Sequence, residues 1–222
     1  MSTATRHTEA LALQALSRKP RQGRSLASFE RMLEATKALM IETGGDSFTL
    51  QDVSERGQVS IGSIYLRFES KDRLLHAVIA EELTAILAKE RVMIDEVLAE
   101  TDSLGAFLPL YIKRYSAFLE QNAPLLRTIM ARAEVDPLVS EPGKETARRS
   151  SEMSIAAILT FRDEIKSADP EAKALAVFQI VFATIARQFG LGSTPESSDP
   201  YLWGFIKDEI AKMALAYLRH AD

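Results

Sequence analysis

The residues of this chain best suited to chemistry with a polyanion lie between Thr49 and Lys71. Ser60, Ser63 and Tyr65 carry hydroxyls that can donate to phosphate oxygens or base edges, and Gly62 lets a backbone come close. Arg67 and Lys71 add positive charge just behind them. Thr49 and Ser70 stand where helices begin, so that free N–H groups and the helix dipole favour phosphate there. Ile61 has two readings: contact with a thymine methyl in a major groove, or packing against the neighbouring helix. Other chemistries lack their residues. The chain has no cysteine, and its 3 histidines (His7, His76, His220) are far apart in sequence. That excludes disulfides and thiolate metal sites and argues against a histidine-based zinc site, so no metal or cofactor is expected. No nucleophile–base pair and no glycine-rich phosphate loop is visible, which makes a helical enzyme the weaker reading. A helical interaction module that does not bind DNA is the third.

These groups need elements to hold them, and the pattern predicts an all-α protein of about nine helices, with no sustained period-2 alternation. A first helix starts near Ser25, with Leu26, Phe29, Leu33, Thr36, Leu39 and Met40 on one face, and stops at Gly44-Gly45. Thr49 caps a short helix, with Asp52 placed for a capping box. A tight break follows at Gly57-Gln58, and Ser60 caps a second short helix running to about Phe68. Ser70 opens a long helix with Leu74, Leu75, Val78, Ile79, Leu83 and Ile86 at its apolar positions. Two short helices around a tight turn form a helix-turn-helix, in which the first braces the second for groove entry. Phe48, Leu50, Val53, Val59, Ile64 and Phe68 supply the packing face.

This pattern resembles the TetR family of bacterial transcriptional regulators. The resemblance rests on Phe48-Thr49, Val53, Val59-Ser60, Gly62, Ile64-Tyr65, Arg67-Phe68 and Ser70-Lys71-Asp72-Arg73-Leu74-Leu75, and covers residues 25–80 in detail. Beyond that it lies in length and in the number and order of helices. Three departures stand out. The turn glycine comes one position early, so Gln58 is expected in the left-handed region. Ile61 replaces a polar or basic residue, and Arg67 a common histidine. The resemblance implies a DNA-binding head at 25–73 and a helical effector-binding and dimerisation domain at 74–222. DNA contacts are expected from Thr49, Ser60, Ile61, Gly62, Ser63, Tyr65, Arg67, Lys71 and Arg24. Arg24 ends the basic run Arg18-Lys19-Pro20-Arg21-Gln22-Gly23-Arg24, which reads either as an arm reaching DNA or as a solvated tail.

For the body, helices are expected at Ser103–Gln121, Ala123–Val135, Val139–Lys166, Pro170–Phe189 and Pro200–His220, with Pro142 in the first turn of its own. The resemblance implies a homodimer built mainly from the last two. The first of these is apolar nearly all round, which requires burial on more than one side, by a partner or by one larger core. Phe182, Ile185, Phe189, Trp203, Ile206, Ile210, Met213 and Tyr217 are the interface candidates. Phe107, Tyr111, Tyr115, Phe118, Met130, Ile158, Phe161 and Phe178 either line a small-molecule pocket or are plain core. Polarity there comes from Tyr111, Tyr115, Arg127, Gln179 and Thr184, so a mainly apolar or aromatic effector is expected. Pro109 would remove a hydrogen bond if its helix starts near Leu104.

Charge fits this division. The net charge is −4, yet residues 1–73 hold 11 Lys/Arg against 9 Asp/Glu, a mildly basic front on an acidic body. No apolar run approaches the ~20 residues that span a bilayer, and the N-terminus is too polar for a secretory signal. The expectation is a cytoplasmic, homodimeric repressor that binds a near-palindromic double-stranded operator and is released by a small effector. An activator, or a regulator not gated by a ligand, is the alternative.

Overall fold

The computed structural model describes residues 24–192 and 199–221. Among them are eight α-helices, a single 3-10 turn and no strand: α1 Arg24–Thr43, α2 Leu50–Gly57, α3 Ile61–Tyr65, α4 Lys71–Ala99, α5 Leu104–Val135, α6 Pro137–Leu159, the turn Arg162–Glu164, α7 Pro170–Gln188 and α8 Pro200–Arg219. The basic run before Arg24 lies outside the described residues, as does the side chain of Arg24.

Local chemistry explains most boundaries. Gly44 takes φ 63° after α1, and the Gly45 N–H donates to the Met40 carbonyl at 3.1 Å. Thr49 caps α2 through a complete capping box with Asp52. Ser60 caps α3, and the Ser70 hydroxyl accepts from the Arg73 N–H at 3.2 Å to start α4. Asp169 and Asp199 cap α7 and α8, each followed by a proline that fits the first helical turn.

Two expectations for the body are corrected. Residues 103–135 do not break at Asn122; α5 is continuous, because the Asn122 amide turns back to the Phe118 carbonyl at 2.7 Å. Pro109 is therefore interior, and the helix lacks the hydrogen bond to the Gly105 carbonyl there. α6 begins earlier than expected, at Pro137, since Asp136 accepts from the Leu138 N–H at 3.0 Å. Pro142 is thus inside α6 and not in its first turn. α6 also ends at Leu159, giving way to the 3-10 turn instead of running to Lys166.

The chain forms two compact units. The first takes the chain up to Ile86 together with Pro124–Thr146; the second takes Leu87–Ala123 and the chain from Ala147 onward. In the first, Met32, Phe48, Val53, Ile64, Phe68 and Leu74 are buried in one core with Leu125, Ile129 and Val139. Each such side chain contributes roughly 1.5–3 kcal/mol of burial free energy. Charge ties the same unit together: Arg132 meets Asp46, Asp72 and Asp136 at 2.8, 3.0 and 2.9 Å, and His76 meets Asp136 at 2.7 Å. In the second unit, Lys173 is buried beneath the Tyr217 ring and donates to the carbonyls of Lys166 and His220 at 3.1 and 2.6 Å.

Candidate nucleic-acid interface

The turn between α2 and α3 accounts for the displaced glycine. A Cβ at Gly57 would stand 3.1 Å from the Arg31 carbonyl oxygen and 3.3 Å from the Ala35 Cβ, so any side chain there would press α2 away from α1. The Arg31 Nε donates to the Gly57 carbonyl at 3.1 Å across that contact. The left-handed residue of the turn is the next one: Gln58 has φ 49° and ψ 46°, as its position in the sequence predicts. Contact and turn make their demands at adjacent positions, and one glycine cannot meet both.

Beyond the turn, α3 presents a small, open face. Ser60, Gly62, Tyr65 and Leu66 are exposed, with Tyr65 at 59%, and a Cβ on Gly62 would meet nothing within 4 Å. The Ser60 hydroxyl accepts from the Ser63 N–H at 3.1 Å and lies 2.7 Å from the Ser63 hydroxyl. Thr49 is exposed at the start of α2, where its N–H and hydroxyl both donate to Asp52, at 2.7 and 2.8 Å. Those two bonds hold the Asp52 carboxyl below its ordinary range, the backbone one foremost. Ile61 is half-buried against the core, which favours its packing reading. Leu66, beside Tyr65, was not anticipated on this face.

Arg67 and Lys71 are not on it. Arg67 is only 7% exposed; its guanidinium donates to the Ser25 carbonyl and hydroxyl at 2.9 and 3.1 Å and lies over the Phe29 ring. The Lys71 ammonium donates to the Asp46 and Phe48 carbonyls at 2.5 and 3.0 Å and sits over the Phe48 ring. Both expected phosphate contacts are therefore internal tethers. One pins α3 to the start of α1, the other pins the loop before α2 to the start of α4. Arg67 follows the buried Ile64 by three positions, one turn on at the end of α3, which puts it on the inward side.

The expected pocket residues divide. Met130 belongs to the first unit and is 40% exposed, so it does not join the others. In the second unit, Phe107, Tyr111 and Tyr115 stack along α5 with centroids 5.3 Å apart, Phe161 lies 5.3 Å from Phe107, and Phe118 and Phe178 each lie 6.3 Å from Tyr115. Ile158 is buried in the same unit. Gln179 is exposed and the Thr184 hydroxyl donates to the Ile180 carbonyl at 2.9 Å within its own helix. The polar group that sequence reasoning missed is Glu90, 1% exposed, which accepts from the Ser150 hydroxyl at 2.6 Å. Burial pushes its carboxyl up to about 7 against that hydrogen bond. Its register was legible, because Glu90 falls on the apolar stripe of Ile86, Ile94 and Val97.

Among the interface candidates, Ile185 and Ile210 are buried within the protomer, which corrects their assignment. Phe182, Phe189, Trp203 and Ile206 are half-buried, with Phe189 edge-on to Trp203 at 5.9 Å. Met213 and Tyr217 are exposed, and so are Leu175, Ile180, Tyr201, Leu202 and Phe205. α7 and α8 thus leave apolar faces to solvent in one protomer. No described residues form a metal-binding group of acids and histidines, and none of the described helices is long and apolar enough to cross a membrane.

Residues 32–78 match the family model of bacterial regulatory proteins, tetR family. No curated protein matches the chain. Among solved structures, a protein designated a TetR-family transcriptional regulator from Mesorhizobium loti is 21% identical with TM-score 0.67, over 89% of this chain and 96% of that one. A transcriptional regulator from Cytophaga hutchinsonii is 18% identical with TM-score 0.63, over 86% and 98%. A protein from Rhodococcus sp. designated a TetR-family regulator is 18% identical with TM-score 0.59, over 87% and 99%. These identities speak for the fold, and the match over the helix-turn-helix speaks for what that part does. Residues 32–78 thus carry the segment that defines bacterial regulatory proteins of the tetR family, and the chain as a whole has the helical fold of solved structures designated as regulators of that family.

Proposed function

We propose that this regulator is a homodimeric, ligand-responsive repressor that acts in the bacterial cytoplasm on a near-palindromic operator. The open face of α3 carries the proposal: exposed Ser60, Gly62 and Tyr65, half-buried Ser63 and the Thr49 cap stand on helices fixed by core and tethers. Those five residues are the DNA contacts that the geometry supports, with Arg24 joining them from the start of α1. The exposed apolar side chains of α7 and α8 support dimerisation, which would place two reading heads about one DNA turn apart, roughly 34–36 Å. Residues 25–73 act as the head and 74–222 as the effector and dimer domain. The aromatic stack of α5 supports a small-molecule site in the second unit. Effector binding favours a conformer of lower operator affinity, which requires different affinities for the two states.

A gel shift of the protein on its own upstream intergenic DNA tests this reading. It predicts a sequence-selective shift at submicromolar protein that weakens steeply with salt, and release by an effector. Absence of any selective shift would sink it. Sedimentation that finds only monomer at the same concentration would remove the dimer.

A further inference from the structure

Five polar side chains from three helices converge inside the second unit. Glu90 comes from α4, Tyr111 and Tyr115 from α5, and Ser150 and Ser154 from α6. All but half-buried Ser150 are at most 1% exposed. The Ser150 hydroxyl bonds Glu90 at 2.6 Å, and no basic side chain acts on that carboxyl. The Tyr111 and Ser154 hydroxyls lie within reach of each other without a well-formed hydrogen bond, and neither has another partner; Tyr115 and Glu90 also act on Tyr111. Burial, and then Glu90, push the Tyr115 phenol up, so it stays a neutral donor.

A buried carboxyl without a cation, beside two hydroxyls that have only each other and no well-formed bond, is a poor way to fill a core. They cost stability, and hydrophobic residues of the same volume would not. They are a good way to hold a ligand that brings what is missing. We propose that this cluster is the polar anchor of the effector site and that the effector is an organic cation, an amine with an aromatic or apolar body. This inference rests on the ligand-responsive reading above and replaces the mainly apolar effector expected from sequence.

Each alternative meets a physical objection. An anion would face the Glu90 carboxylate in a medium that screens poorly. A purely apolar molecule would leave Glu90, Tyr111 and Ser154 unmatched. A cation is paired by Glu90 and can lie against the faces of Tyr111, Tyr115 and Phe107, whose stacked rings already form a wall 5.3 Å apart from ring to ring. The ligand body then has the remaining aromatic side chains to replace the contacts it displaces. Pro109 stands between Phe107 and Tyr111, where α5 lacks one backbone bond, so this part of the wall can yield at smaller cost than an intact helix. Glu90 near neutrality is half-ionised before binding, and a cation would draw it to the charged form.

A matched set of probes isolates charge: 2-phenylethylamine, 2-phenylethanol and phenylacetate, titrated into the full chain by calorimetry. The amine is expected to bind at least about tenfold tighter than the alcohol, and the acid not measurably. Glu90→Gln keeps the shape and the Ser150 contact; it is expected to erase the preference for the amine while leaving the alcohol unchanged. An alcohol or acid that binds as tightly as the amine would overturn the proposal, as would a preference that survives in E90Q or no amine binding up to about 10 mM. Selectivity of the unaltered protein decides the matter even if E90Q fails to fold. Release of upstream DNA is scored separately. Release by a neutral or acidic compound leaves ligand response standing and overturns the cation. Glu90-dependent amine binding with no effect on DNA leaves the site standing and overturns the gating.

Discussion

The first unit completes its inward-facing polar groups, whereas the second completes Lys173 but leaves the cluster around Glu90 short of partners. In the first, Arg67 reaches Ser25, Lys71 reaches the carbonyls of Asp46 and Phe48, and Arg132 gathers Asp46, Asp72 and Asp136. Arg67 Nε and His76 Nδ1 lack partners, yet both side chains are held by their other nitrogens. In the second unit, Glu90 has one hydroxyl, and Tyr111 and Ser154 have only each other, without a well-formed bond. Polar side chains that complete each other make a rigid platform, which a head that must present α3 in one orientation requires. Polar side chains left incomplete hold free energy that a ligand can collect. The contrast separates a surface that reads from a core that waits.

Its sharpest test is the response of stability to pH. Folding raises the Glu90 pKa from 4.5 to about 7, so the folded state binds the proton more tightly. The stability this contributes is full below pH 4.5 and is lost as pH rises to about 7, amounting to about 3 kcal/mol. Urea unfolding at acid and mildly alkaline pH should show that loss, and E90Q should abolish it. A flat profile in the unaltered protein would erase the contrast from the side of the second unit.

Arg67 and Tyr65 provide the next test, two positions apart in the head. Arg67→Ala removes two charged hydrogen bonds and the contact with Phe29, and is expected to lower stability by about 2 kcal/mol in denaturant melts. Tyr65→Ala should change stability by less than about 0.5 kcal/mol and weaken DNA binding about tenfold in anisotropy titrations. Equal stability losses would deny that Arg67 is a tether. The smallest effect concerns the turn. Gln58→Gly relieves a left-handed residue and should stabilise by up to about 1 kcal/mol, whereas Gly57→Ala, pressed on the Arg31 carbonyl, should destabilise by about 1 kcal/mol. Thermal melts that move the same way for both would break the separation of contact from turn.

The head was legible in sequence because its signals are local. Caps at Thr49 and Ser60, glycines at 44 and 57 and the strain at Gln58 each act within a few residues. What sequence missed depends on what a side chain finds. Asn122 looked like a break and instead bonds the carbonyl four residues back. Arg67 and Lys71 were read by charge, although their register turned them inward. The near-uniform apolar surface of α7 gives no periodicity to tell core from interface, so buried Ile185 could not be told from Ile180, 61% exposed. Glu90 was visible on an apolar stripe but passed as solvated charge.

The central claim is that the open face of α3 reads DNA from a head whose fold does not depend on that face. Gly62→Glu tests it most directly, because the site is open and the new side chain brings a negative charge to the face without displacing an atom. Fluorescence anisotropy on the upstream intergenic DNA should show salt-sensitive, submicromolar binding by the unaltered protein and a loss of about 100-fold in the variant, with the melting temperature unchanged. Undiminished binding by a folded Gly62→Glu protein would contradict the account.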